Sequence, residues 1–268
     1  MDRVSYGIPA YGTQSPNWWA PFVAQAAGLF RYDIELVRVH VAMGMMTDLS
    51  RNSIVDQFLK TDVEWLRWLD ADNVDKAGSL RRLLDTRKSL VTGLYTKRDE
   101  TLEPHAYFRT EDSYERIADF TPGEIIPIDA AGMGGCLVHR SVFEDILKNY
   151  RVFNMLGGGV FTIHKDDIHG DVFDESVDEL DGKLVDGVLH LRARQTKLKR
   201  PFPFFILADG RTEDYGFFEM AARSGHTLWL DSGVEISHLG EKSYNPVQSR
   251  EAEIKELQKI YYEALPLS

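Results

Sequence analysis

Apolar residues in the first third of the chain fall into two rhythms. Residues 4–9 and 34–41 are short, β-branched and bounded by turn residues, which predicts strands, and the first runs into the turn Pro9-Ala10-Tyr11-Gly12. Between them Ser15-Pro16 offers an N-cap and a proline suited to a first helical turn, so a helix is expected to close near Gly28. Thr47 or Asp48 is expected to cap a second helix to about residue 59, with Leu49, Ile54, Val55, Phe58 and Leu59 at helical spacing. Residues 63–69 are bulky and few, as a central strand is, and deliver the chain into Asp70-Ala71-Asp72-Asn73. A helix over 76–86 and a strand over 89–94 complete a strand–helix alternation that belongs to the α/β class.

Further on, the pattern predicts a strand over 124–129, a Gly-rich turn and strand over 132–138, and a helix over 141–148. Residues 151–200 are the least legible. They hold Gly157-Gly158-Gly159, an acidic run from 166 to 186 and a basic run from 192 to 200, and they read as an insertion of hairpins or loops, where acceptor contacts are often built. Regular order returns with a strand over 204–207, a helix over 213–224, and strands over 227–230 and 234–238. A charged amphipathic helix over 247–264 follows, and no internal repeat is visible. The expected organisation is a single domain, with a nucleotide-binding half over 1–100, an acceptor and catalytic half over 101–246, and a C-terminal helix over 247–268.

Composition changes this picture little. An apolar fraction of 43% and a charged fraction of 27% suit a globular chain with a true core. A net charge of −11 speaks against indiscriminate binding to nucleic acid or anionic membrane, although a local basic patch can override it. Cys136 is the single cysteine, so no intrachain disulfide can form, which suits a reducing compartment. The first residues carry no signal pattern, and no stretch approaches the roughly 20 apolar residues of a membrane span. A cytoplasmic location is expected.

Three short motifs carry chemistry. Asp70-Ala71-Asp72 follows a central strand, at the sheet edge where ligands of open α/β folds collect. Two carboxylates there can hold a hard divalent cation against a ligand diphosphate, though such a pair by itself also marks a solvated turn. Thr212-Glu213-Asp214 opens an apolar helix, and taken alone it is good capping. In Asp231-Ser232-Gly233-Val234-Glu235-Ile236-Ser237-His238-Leu239-Gly240 a strand ends in a histidine, and a lone histidine is more often a packed or hydrogen-bonded residue than a ligand.

Taken in order, these segments resemble the GT-A glycosyltransferases, most closely the family-2-like and soluble phage-encoded members. The resemblance runs through Ile8-Pro9-Ala10-Tyr11, Ser50-Arg51-Asn52, Trp68-Leu69-Asp70-Ala71-Asp72, the stretch from Ala131-Gly132-Met133-Gly134-Gly135-Cys136 to Arg140, Thr212-Glu213-Asp214-Tyr215-Gly216, Asp231-Ser232-Gly233-Val234 and His238-Leu239-Gly240. It covers most of residues 3–140 and 204–244 and leaves the middle and the C-terminal helix unmatched. It implies a Rossmann-like fold with a central mixed sheet flanked by helices. Asp72, with Asp70 beside it, would bind Mn²⁺ or Mg²⁺, and His238 would add a third ligand. Pro9, Tyr11, Arg51 and Asn52, together with Asp70, would line the pocket of a nucleotide sugar, UDP being the expected nucleotide. Gly134 and Gly135 would let the backbone approach sugar or acceptor closely. Asp214, with Glu213 its neighbour, would be the general base, and single displacement with inversion would follow. Two departures stand out. Arg38-Val39-His40-Val41 offers no acid at the end of the second strand to hold the nucleobase. The Gln-x-x-Arg-Trp motif of processive synthases is absent, which fits transfer of one sugar.

For the acceptor, Arg192, Arg194, Lys197, Lys199 and Arg200 form a run of cations without an intervening acid, followed by Phe202, Phe204 and Phe205. A basic and aromatic patch close in sequence to Asp214 could guide a polyanion. The leading expectation is hydroxymethylpyrimidine DNA, its base flipped out or single-stranded, with protein or glycan as alternatives. Trp18-Trp19 could stack on a base or sugar, or face the core. A sugar-phosphate nucleotidyltransferase would need a Gly-rich basic loop where Ala10-Tyr11-Gly12-Thr13-Gln14 stands, and a haloacid-type phosphatase would carry its Asp-x-Asp on an earlier strand. A catalytically silent binding module is the non-enzyme alternative.

Overall fold

The computed structural model describes residues 1–10, 16–76, 78–94, 96, 103–155, 160–168, 179–185, 188–194, 201–207 and 212–238, with backbone alone at 16–18, 75, 153–155, 179–185, 188–194 and 238. The first half is laid down as β1 (Asp2–Ala10), α1 (Pro16–Gly28), β2 (Ile34–Met43), α2 (Thr47–Leu59), β3 (Trp65–Trp68), β4 (Asn73–Asp75), α3 (Ser79–Asp85) and β5 (Leu90–Leu94). Then come β6 (Ala106–Arg109), β7 (Tyr114–Arg116), β8 (Ile125–Ile128), β9 (Ala130–Ala131), β10 (Cys136–His139) and α4 (Arg140–Asn149). The remainder holds β11 (Tyr150–Met155), β12 (Val160–His164), β13 (Glu179–Val185), β14 (Val188–Arg194), α5 (Glu213–Arg223) and β15 (Leu228–His238).

The main sheet has the order β2-β1-β3-β10-β5-β15-β4, with β8 alongside β15. Strands β1, β2 and β3 are mutually parallel, β10 runs antiparallel between β3 and β5, and β15 is parallel to β5. This is the mixed sheet flanked by helices that the fold class called for. Seven consecutive residues of β1 are buried because helices cover both faces. Val4, Tyr6 and Ile8 point into a core shared with Phe22 of α1 and Leu80, Leu83 and Leu84 of α3. On the opposite face Trp68, Ile54, Phe58, Phe143 and Phe217 join α2, α4 and α5 into the larger core. Gly7 permits this layering, since a Cβ there would lie 2.9 Å from Ile54 and 3.0 Å from Trp68. No described helix is long and apolar enough to cross a membrane.

Several sequence expectations need correction. Residues 204–207 form no strand; Pro201 and Pro203 withhold backbone donors, and the Asn52 side chain takes the place of a neighbouring strand at Phe205. The segments expected as two strands over 227–230 and 234–238 are one strand, β15, whose register shifts between Asp231 and Glu235. Helix α3 begins at Ser79 rather than 76, because 73–75 are drawn into β4 and Gly78 precedes it at φ +89°. Neither Thr47 nor Asp48 caps α2, whose N-cap is Met46 without a side-chain bond. Within 151–200 the expected hairpins are present, β11 with β12 and β13 with β14, and parallel pairing of β11 with β13 joins them into one four-stranded sheet, β12-β11-β13-β14. The proposed C-terminal helix lies outside the described residues.

Candidate active site

The parallel strands β1, β2 and β3 end at one edge of the sheet, and antiparallel β10 begins there. Asp70 follows β3, Gly134-Gly135 leads into β10, and α2 starts from the turn after β2. Helix α5 brings its first turn to the same place. Thr212 occupies its N-cap position as expected, although without a side-chain capping bond, so Glu213 and Asp214 are free for other partners.

Those partners converge on Arg51. Its guanidinium is 3% exposed and meets three carboxylates: Asp70 at 3.2 Å, Glu213 at 3.1 Å, and Asp214 in direct contact. The second Asp214 oxygen accepts the Met133 backbone N–H at 3.1 Å. Arg51 Nε is buried without a hydrogen-bond partner among the described residues. One cation against three largely enclosed carboxylates leaves the cluster negative and the guanidinium with a donor to spare.

The Gly-Gly turn is shaped around this cluster. Asn73 Nδ2 donates to the Gly134 carbonyl at 2.7 Å, and the buried Arg67 guanidinium donates to the Gly135 carbonyl. A Cβ on Gly134 would collide with the Asp70 carboxylate and the Asn73 amide, and Gly135 stands at φ +136°, so glycine is required at both positions. Arg67 and Asn73 are the residues that sequence reading missed. The one available signal was an arginine inside an otherwise apolar strand, which must find buried acceptors.

The other expected site residues are placed as follows. Pro9 is buried near the carboxyl end of β1, and Tyr11 lies outside the described residues. Asn52 is held by Phe205: its amide donates to the Phe205 carbonyl at 2.8 Å and accepts the Phe205 N–H at 2.9 Å. Asp231 forms a bidentate pair with Arg82 at 2.8 Å, which anchors the bend of β15. Asp72 is half-buried in the turn after β3. His238 pairs in register with Asn73, next to Asp72, and its imidazole is outside the described side chains. Among the described side chains no three His, Cys, Asp or Glu converge to hold an ion. Asp70, expected as a metal ligand, is engaged by Arg51.

The expected acceptor patch divides. Phe202, Phe204 and Phe205 are 8%, 1% and 1% exposed and belong to the core, which corrects the aromatic half of that patch. Arg192 and Arg194 lie on β14 with backbone alone described, while Lys197, Lys199 and Arg200 are outside the described residues. Trp19 is partly exposed and packs edge-on against Phe22 at 5.8 Å.

Fold and cluster together define an α/β protein with a carboxylate-rich, guanidinium-bridged site at the carboxyl edge of its central sheet. Solved structures similar to it include the protein A197 from STIV, at 15% identity over 92% of this chain and 91% of that one, with a TM-score of 0.49. A glycosyltransferase involved in the glycosylation of the major capsid of PBCV-1 matches at 12% identity over 53% of this chain and 61% of that one, with a TM-score of 0.29. GalNAc-T7 with UDP, GalNAc and Mn²⁺ matches at 10% identity over 88% of this chain and 44% of that one, with a TM-score of 0.40. At such scores these likenesses carry no argument about activity. No protein-family model and no curated protein sequence matches the chain.

Proposed function

We propose that the protein is an inverting glycosyltransferase of GT-A type, moving one sugar from a nucleotide sugar, UDP being the expected nucleotide, to a hydroxyl acceptor. The observation that carries this reading is the Arg51 bridge, which joins the carboxylate after β3 to the acidic first turn of α5. In the reaction the acceptor oxygen attacks the anomeric carbon, the bond from that carbon to the diphosphate breaks, and the hydroxyl proton passes to Asp214. A carboxylate held by a guanidinium and a backbone N–H is a poor base. A donor diphosphate is a stronger partner for Arg51, and drawing the guanidinium onto it leaves an Asp214 oxygen ready to accept the proton. Donor binding and base activation are thus linked through one side chain.

Asp72 and His238, at adjoining positions of the turn and β15, would hold Mn²⁺ or Mg²⁺ with oxygens of the diphosphate. Two protein ligands suffice because such ions are commonly completed by phosphate and water. When bound, the ion offsets charge on the departing diphosphate.

A donor screen with Mn²⁺, reading nucleoside diphosphate release with and without hydroxymethylated DNA, tests this function. Release is expected from one nucleotide sugar. Asp214→Asn is expected to cut turnover about 10²-fold or more while donor binding persists, and Asp72→Ala to abolish metal-dependent donor binding. No release from any donor with varied acceptors, or unchanged turnover in Asp214→Asn, would sink it.

A further inference from the structure

Next to the Arg51 cluster lies an open cleft of about 540 Å³ that no step above uses. Its walls come from the first turns of α2, from β12 and from residues 201–207. Met45, Leu49, Val160, Pro203, Ile206 and Leu207 make it predominantly aliphatic. Leu49 and Leu207, both lining it, are 53% and 50% exposed. Methionine and leucine side chains of this kind adapt to an irregular apolar ligand.

Phe205 connects the cleft to the chemistry. It lines the cleft, and the Arg51 guanidinium that contacts Asp214 lies 5.7 Å from its ring centroid. The same ring is stacked on Phe217 at 4.8 Å and 17°. Phe205 is the sole aromatic lining residue among those described, and it is already sandwiched. Among the described residues the cleft therefore offers no free flat surface on which a flipped nucleobase could stack. Of the polar lining groups, the Asn52 amide is spent on the Phe205 backbone. Asp48 Oδ1 is buried without a hydrogen-bond partner among the described residues, and an ionised carboxylate accepts but does not donate.

We propose that this cleft is the acceptor subsite and that it takes the aliphatic body of an amphiphilic alcohol, with a hydroxyl group donating to the Asp48 carboxylate. The proposal rests on the glycosyltransferase reading for its direction of transfer, but binding in the cleft can be measured without a donor. Methyl, hexyl and octyl β-D-glucopyranoside, below their micellar concentrations, are titrated calorimetrically into the full chain. Affinity is expected to rise by about two- to fourfold per added methylene, the usual gain for burying one. Leu49→Ser and Leu207→Ser, at exposed positions that leave the thermal midpoint unchanged, are expected to flatten that dependence. A single-stranded oligonucleotide carrying 5-hydroxymethylcytosine is expected not to displace the octyl compound. Affinity independent of chain length, an undiminished slope in both variants, or displacement by the oligonucleotide overturns the proposal. If no nucleotide sugar is turned over while the slope persists, the glycosyltransferase reading fails and the cleft stands. If turnover depends on Asp214 while the slope is absent, the reverse holds.

Discussion

Arg51 illustrates how one residue can gather a site from distant parts of a chain. Its three carboxylate partners come from the turn after β3 and from α5, and a buried guanidinium among acids is stable only while that balance is kept. Arg51→Lys keeps the charge but loses the planar fork, so Asp70 and the Glu213-Asp214 pair can no longer be bridged together. Loss of turnover comparable to Asp214→Asn is expected, with the metal-binding defect of Asp72→Ala absent. Cys136 lies close by and behaves oppositely. Burial pushes its thiol up to about 11, with a Thr92 hydrogen bond and the Arg67 and Arg51 charges pulling only partly against it. The native protein is therefore expected to resist thiol reagents at neutral pH and to react at one site per chain after denaturation. Rapid modification of the folded protein would contradict the burial.

At the scale of elements, residues 201–207 are the informative case. The apolar spacing of 204–207 predicts a strand, yet a strand needs a neighbour, and Asn52 of α2 supplies a substitute for one. Asn52→Ala leaves a buried N–H and a buried C=O of Phe205 unsatisfied, which is expected to cost about 2–4 kcal/mol, read as a lower urea midpoint. Because the Asn52 amide is spent on this clamp, donor affinity is expected to fall far less than stability. The converse result would assign Asn52 to the nucleotide pocket that the resemblance gave it. Helix α5 was legible from periodicity, with Phe217, Phe218, Met220 and Ala221 on its buried face, whereas α2 buries Ser50, Arg51 and Asn52 beside Ile54, Val55 and Phe58 and leaves Leu49 exposed. The exact run of β15 was not legible, because its continuity depends on Arg82 holding Asp231 across the bend.

For the whole molecule, acid stability follows from its buried histidines. His40, 1% exposed, is held below the ordinary histidine range by burial, opposed by Gln57 and aided by Arg38. His139 is lowered as well, burial again leading. Since the unfolded chain takes up these protons first, stability is complete above the unfolded value of about 6.5 and falls as pH drops below it. The thermal midpoint is expected to be lower at pH 5.5 than at pH 7.5, and His40→Gln to show a shallower fall. An equal fall in that variant would place the titration elsewhere.

The sequence alone determined the class of fold and most of the strand–helix alternation up to β5, because a half-buried helix or strand writes its period into the chain whatever it later packs against. It also marked the Asp70 turn and the acidic start of α5 as chemically loaded. Tertiary structure decided what those residues do with one another. Arg51 is spent on Asp70, Glu213 and Asp214; Asn52 on a backbone; Phe202, Phe204 and Phe205 on the core. Partnership between charges and burial of aromatic rings depend on distances between segments, and a linear pattern carries no record of which segments meet.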